Sequence, residues 1–313
     1  MPRNVPDSVD SGSSGGAAEV DWAREIYSCL GLQFPDHEER VDFLADKTVQ
    51  RHIGEFEGKE VRVASTTFED LKLAQDVIWQ TKGLLSYGAG NLVSDVFASD
   101  GESYLRSNYA MSHAAQHGGL ALSSIQSQAG NCSSHADISY MLLSAQETDR
   151  PVARVSSTVR DHAFTMIGDY RDPTQETVVV DAWPTFPSAF RFKDGDLSVL
   201  SEKPLVKTWS APGPKPPVVI NLEGVKPIPL KQMQDFFKRM EVPQKPGRKL
   251  KDFIVDFSKR SSFLSTRAIT VENPAIVYMP ATGVDAVNTY EMPKSYAKAK
   301  IKGMKAGEKR GFK

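Results

Sequence analysis

Two cysteines in 313 residues are too few for a disulfide scaffold, and no internal repeat marks a solenoid or propeller. No run of 18 apolar residues occurs, which excludes a transmembrane helix. Gly-rich phosphate loops, dinucleotide-binding fingerprints and metalloprotease motifs are all missing, so no nucleotide cofactor is implied. Charge of one sign is also lacking. The 38 Lys and Arg nearly balance the 39 Asp and Glu, and a net charge of −1 gives no whole-chain field toward nucleic acid or membrane. What remains is ordinary globular composition, 40% hydrophobic and 25% charged, in a chain long enough for one large domain or two small ones.

Residues 1–18 carry Pro2, Pro6, four Ser and three Gly, with Val5 and Val9 their only aliphatic side chains larger than alanine. Such a segment buries too little to offset its chain entropy and reads as a disordered leader without the apolar core of a secretory signal. Cys29 falls on a helical stripe with Ala23, Ile26, Tyr27 and Leu30. That is the pattern of a buried thiol, which argues against a bridge to Cys132 and for a reducing site of action.

The front of the chain reads helical. Asp36 can cap a helix carrying Val41, Leu44, Ala45 and Val49 on one face, and Thr67 another carrying Leu71, Ala74, Val77 and Ile78. A third helix is expected near Tyr104 to Ala115. From Pro151 to Phe192 β-branched and aromatic residues take over, with Thr177 to Val180 the clearest strand. These features predict an α+β domain over 19–203. Seven prolines between Pro204 and Pro229 suggest an extended crossing or linker over 204–229. In 230–313 the stripes Met233, Phe236, Phe237, Met240 and Leu250, Phe253, Ile254, Phe257 predict two amphipathic helices, followed by a strand near Ala275 to Met279, together a C-terminal α/β extension.

One constellation carries chemistry. Gln126 to Asn131 is a polar, Gly-containing loop that leads into a helical pattern beginning at Cys132. A helix N-terminus favours an anion and so the thiolate, the form in which cysteine is a nucleophile. Downstream, Asp161-His162-Ala163-Phe164 and Val180-Asp181-Ala182-Trp183 flank a turn at Asp169 to Thr174. A hairpin centred on that turn would set His162 opposite Asp181, within about 5 Å at Cβ. The carboxylate would then fix the imidazole tautomer and stabilise the imidazolium.

On these residues, Gln126 to Phe186, the chain resembles the papain-like Cys-His-Asp enzymes of bacterial effectors and toxins, including the glutamine deamidases related to dermonecrotic toxins. The spacing from Cys to His is shorter than in papain itself. The resemblance implies a papain-like core with Cys132, His162 and Asp181 as a catalytic triad and Gln126 lending its amide to an oxyanion hole, Gln128 being the rival. It further implies a secreted effector that hydrolyses an amide of a host protein in the host cytoplasm, without a cofactor. Deamidation, peptide cleavage and transglutamination share the first half of that chemistry.

Two other patterns compete. His113 and His117 at i, i+4 together with Cys132 and His135 offer four zinc-type ligands, which would make the protein a structural zinc binder. Residues 231–260 hold nine Lys or Arg against four Asp or Glu, a surface suited to an acidic partner or anionic membrane. Lys238, Arg239, Arg248, Lys249 and Lys251 would form it, and a non-enzymatic adaptor could use it alone. A basic tail from Lys294 to Lys313 reads as a solvated end.

Overall fold

The computed structural model describes residues 24, 27, 28, 30, 39–213 and 225–312. The leader, Cys29, Asp36 and the prolines at 214, 216 and 217 lie outside these residues. The architecture is mixed α+β. Its centre is a five-stranded antiparallel sheet, order β8-β7-β6-β5-β9, made of β5 (Val152–Ser156), β6 (Ala163–Ile167), β7 (Val178–Asp181), β8 (Ser188–Arg191) and β9 (Leu205–Ser210). Strands β6, β7 and β8 are buried at every residue, which is why Val178 to Val180 form a continuous apolar run. Strand β9 is the exposed edge, and it occupies the start of the proline-rich stretch expected to be a crossing. Its first six residues after Pro204 lack proline and keep their amides for the ladder.

Helix α2 (Ser65–Leu84) lies on β7 and β8, and α6 (Cys132–Ser144) on β5 and β6. The predicted face Leu71, Ala74, Val77 and Ile78 is fully buried there. Each Leu, Val or Ile removed from water contributes about 1.5–3 kcal/mol before chain entropy is charged against it. Thr67 does not cap this helix. It is buried in the first turn, and Ala64 precedes the helix without a side-chain cap.

The helix expected from Asp36 to Val49 is replaced by three short elements: strand β1 (Arg40–Asp42), a 3-10 turn over 43–45, and α1 (Lys47–Ile53). Two aspartates break the run. Asp42 accepts from Leu44 N at 2.8 Å and Asp46 from Thr48 N at 2.7 Å, each starting a new turn.

The C-terminal third is not appended to the rest. Strand β10 (Ile276–Pro280) pairs in parallel with β2 (Lys59–Val63) and antiparallel with β11 (Val287–Asn288), while β12 (Glu291–Pro293) pairs with β1. Helices α8 (Leu230–Arg239) and α9 (Arg248–Ser261) bury Met233, Phe237, Leu250 and Ile254 against Leu105 and Tyr109 of α4 (Glu102–His113). The tail expected to be solvated is helix α10 (Lys294–Glu308), docked on α3 (Val93–Ala98). Gly303 permits that contact, because a Cβ there would collide with Ser94 O.

Candidate active site

Two short parallel strands set the site. Gly88 and Ala89 (β3) pair with Ala129 and Gly130 (β4), and Gly90 N donates to Gly130 O at 2.9 Å. The chain leaves β4 directly into α6, so Cys132 is held at the helix start by a ladder rather than a free loop. Asn131 caps the helix, its Oδ1 accepting from Ser134 N at 3.1 Å. As the first helical residue, Cys132 has an N–H with no intrahelical partner. Its side chain packs with Ala89, Leu92 and Trp183 and is 6% exposed.

His162 precedes β6 and is buried, its ring 5.0 Å from Trp183 and 5.7 Å from Phe164. His162 Nε2 meets Asp181 Oδ2 at 2.8 Å. The register differs from the expected one. Thr165 faces Val180 and Ile167 faces Val178, so position 162 projects opposite Trp183, not Asp181. The shift is two residues, which preserves the face, and the contact is diagonal across the ladder, within reach of an imidazole. Asp161 is exposed and takes no part.

Asp181 is enclosed by three donors. Besides His162, Thr270 Oγ1 donates to Oδ2 at 2.8 Å and Trp183 N to Oδ1 at 3.2 Å. Burial works to raise the Asp181 pKa, but the His162 charge and these hydrogen bonds outweigh it and hold the carboxyl below its ordinary value. For His162 burial works to lower the pKa, and the charge and hydrogen bond of Asp181, with Cys132 alongside, raise it to about 10. The ring is therefore an imidazolium at neutral pH. With Nε2 committed to Asp181, Nδ1 is left for Cys132, and this buried nitrogen makes no hydrogen bond of its own. Loose geometry of this kind is common where a substrate has yet to complete the contacts.

A second buried polar cluster adjoins the site. Lys300 Nζ and Ala89 N both bond Asp95, each at 2.5 Å, and Lys82 Nζ approaches Trp183 O at 3.5 Å. Burial lowers the Lys82 pKa to about 7, opposed by Asp95 and Asp181 and reinforced by Lys300. His135 faces the same region, and burial with the Lys82 charge brings it down to about 3. As a neutral ring it must donate from Nδ1 to Asn131 O at 2.8 Å, which leaves Nε2 a bare acceptor without a partner.

Gln126 lies in α5 (Leu120–Ser127); its side-chain oxygen is buried and unpartnered, and its backbone carbonyl accepts from Ile228 N at 2.8 Å. No hydrogen bond joins it to Cys132. Gln128, at φ 58°, is the turn residue that ends α5. The zinc alternative does not assemble: among the described residues no three His, Cys, Asp or Glu side chains could hold a metal ion. His113 instead stacks on Tyr109, 4.0 Å between centroids, and its Nδ1 bonds Tyr109 O. Sequence reasoning missed Thr270, which lies 89 residues beyond Asp181 in a segment without any motif. It also read His135 only as a ligand and passed over Lys82.

No known protein family, curated protein or solved structure matches this chain. Among the described residues no helix is long and apolar enough to cross a membrane. The site has to be interpreted from its own chemistry.

Proposed function

We propose that the protein is a thiol-dependent amide hydrolase of papain-like type, with Cys132 as nucleophile, His162 as acid and base, and Asp181 as the group that orients His162. One observation carries this reading: a buried histidine has one nitrogen fixed by a carboxylate at 2.8 Å and the other left for a cysteine at a helix start. Cys132 attacks as the thiolate, its proton held on His162, whose pKa the charge and hydrogen bond of Asp181 raise.

The thiolate attacks an amide carbonyl carbon, and the electron pair of the C=O bond moves onto oxygen. The free N–H of Cys132 and the amide of Gln126 are the donors assigned to that oxyanion. His162 Nδ1 then gives its proton to the amide nitrogen as the C–N bond breaks, leaving a thioester. Water attacks the thioester while His162 takes its proton, and cleavage of the C–S bond returns the thiolate.

The small exposure of Cys132 favours a slim, extended side-chain amide over a main-chain peptide bond, whose carbonyl lies between two substituted Cα atoms. Deamidation of a glutamine in a host protein, by an effector delivered into the host cytoplasm, is accordingly the reading we prefer to proteolysis. Mass spectrometry of a host-cell lysate treated with wild type or Cys132→Ala protein tests it. A gain of about one dalton at specific Gln residues, dependent on Cys132, supports deamidation. New termini mean a protease, and identical lysates overturn the enzymatic reading in favour of an adaptor.

A further inference from the structure

Helix α10 and its C-cap residue carry Lys298, Lys302, Lys305 and Lys309 at spacings of four, three and four residues, which puts all four on one face. The opposite face, with Ala297, Gly303, Met304 and Gly307, is buried. All four lysines are exposed. Like charges at these spacings repel and destabilise a helix. The helix dipole favours a cation only in the last turn, where Lys305 stands, and so does not account for Lys298 and Lys302. Solubility of a nearly neutral chain does not require such a stripe.

The stripe forms one wall of a concavity of about 590 Å³. Lys251 from α9 and Arg310 complete a ring of six cations, with Asp46 the only acid on its lining and Phe97, Ile301 and Ala306 its apolar part. Lys305 pairs with Asp46 at 3.4 Å, Arg310 with Asp252 at 2.6 Å, and Lys251 with Asp100. Among the described residues Lys298, Lys302 and Lys309 make no direct ion pair; the Glu39 carboxylate offsets Lys298 from a distance, so Lys302 and Lys309 face the cavity uncompensated.

We propose that this cavity binds a compact anion bearing several phosphate groups, either a free polyphosphate or the phosphorylated headgroup of a lipid. Two uncompensated ammonium groups, with Lys298 only distantly offset and three paired cations beside them, match several phosphate charges placed close together, and Lys donors suit phosphate oxygens. The concave shape and apolar lining favour a small ligand over an extended nucleic-acid backbone. The site is separate from Cys132, so this inference stands or falls independently of the proposed hydrolase.

Calorimetric titration of the full chain with inorganic tripolyphosphate at low salt should give saturable binding to one site that weakens as salt rises. Lys302→Gln/Lys309→Gln should weaken it by about tenfold or more, two charge-assisted contacts having been removed. Lys298→Gln alone should weaken it less, and Lys238→Gln/Arg239→Gln on α8 should leave it unchanged. Sedimentation with phosphatidylcholine vesicles, with and without phosphatidylinositol bisphosphate, distinguishes the sources. Capture that tripolyphosphate displaces identifies a lipid headgroup, and tripolyphosphate binding without capture a free polyphosphate. Absence of saturable binding, equal binding by the Lys302/Lys309 variant, or binding of duplex RNA but not tripolyphosphate would each overturn the proposal.

Discussion

Thr270 Oγ1 and His162 Nε2 converge on the same oxygen of Asp181, each at 2.8 Å. The donor from Thr270 comes from the C-terminal third, which ties that segment to the site. Thr270 is anchored in turn, its carbonyl accepting from Asp196 N at 2.9 Å. Thr270→Val keeps the shape and deletes the hydrogen bond to a charge, a loss of about 1.5–3 kcal/mol or roughly 10- to 100-fold in turnover if all of it is felt there. Because that bond helps hold the Asp181 pKa down, the acid limb of Cys132 alkylation by iodoacetamide should move to higher pH in Thr270→Val and return in Thr270→Ser. An unmoved acid limb would reduce Thr270 to packing.

Asp181→Asn should keep the fold and cut turnover by up to about 10⁴, as removal of an orienting carboxylate does elsewhere. Without the carboxylate, burial dominates His162, and its pKa should fall from about 10 to below the ordinary value of 6.5. Alkylation of Cys132 at neutral pH should therefore be fast in the wild type and slow in the variant. NMR titration of the His162 ring reads the shift directly. A tenfold or smaller loss of turnover would mean that another group orients the ring.

The His162–Asp181 pair also sets a stability window. His162 has a raised folded pKa, so its contribution is complete below about 6.5 and declines as pH rises toward 10. Asp181 has a lowered one, and its contribution is complete above about 3.9 and is lost as pH falls further. The difference in Tm between wild type and His162→Gln/Asp181→Asn should be largest between about pH 4 and 6.5 and shrink on both sides. A pH-independent difference would mean that the pair titrates alike in the folded and unfolded chain.

The legible parts of this sequence were those written in local periodicity. The face of α2, the start of α6 at Cys132 and the run Val178 to Val180 follow from spacing, turn residues and β-branching alone. The juxtaposition of His162 and Asp181 survived a register error because two residues is one full pleat; a slip of one would have separated them. Long-range pairing was not legible. Nothing local says that Ile276 to Pro280 will lie beside Lys59 to Val63, or that Thr270 will reach Asp181. Basic residues misled for a related reason: Lys300 is buried on Asp95, while Lys251 is paired with Asp100 and Arg248 with Asp252, so neither belongs to a free surface with Lys238, Arg239 and Lys249, which are exposed.

Packing of α10 on α3 should be sensitive to one methyl group. Gly303→Ala puts a Cβ against backbone at Ser94, which cannot swing away as a side chain would, and overpacking of this kind costs about 1–3 kcal/mol. Since α10 also brings Lys300 to Asp95, which in turn holds Ala89 beside Cys132, alkylation of Cys132 should change along with Tm. An unaltered Tm would show that the helix slides to accommodate the methyl.

Lys82 should mask part of the pH dependence that His162 creates. Its pKa is lowered by burial to about 7, against about 10.4 in an unfolded chain. Between those values the unfolded state binds more protons from this group than the folded state, so stability from Lys82 rises with pH. His162 acts in the opposite sense over nearly the same interval, since its folded state keeps a proton that the unfolded chain releases. The two slopes offset each other from about pH 7 to 10 in the wild type. Lys82→Met removes one slope and fills a similar volume with apolar atoms, a replacement that often stabilises a site holding a desolvated charge. The variant should gain stability most clearly below pH 7, where wild-type Lys82 must be charged in its buried place. Above pH 7 its Tm should fall with pH more steeply than that of the wild type. A parallel Tm profile for the two proteins would mean that Lys82 stays protonated and compensated by Asp95 and Asp181 across the range.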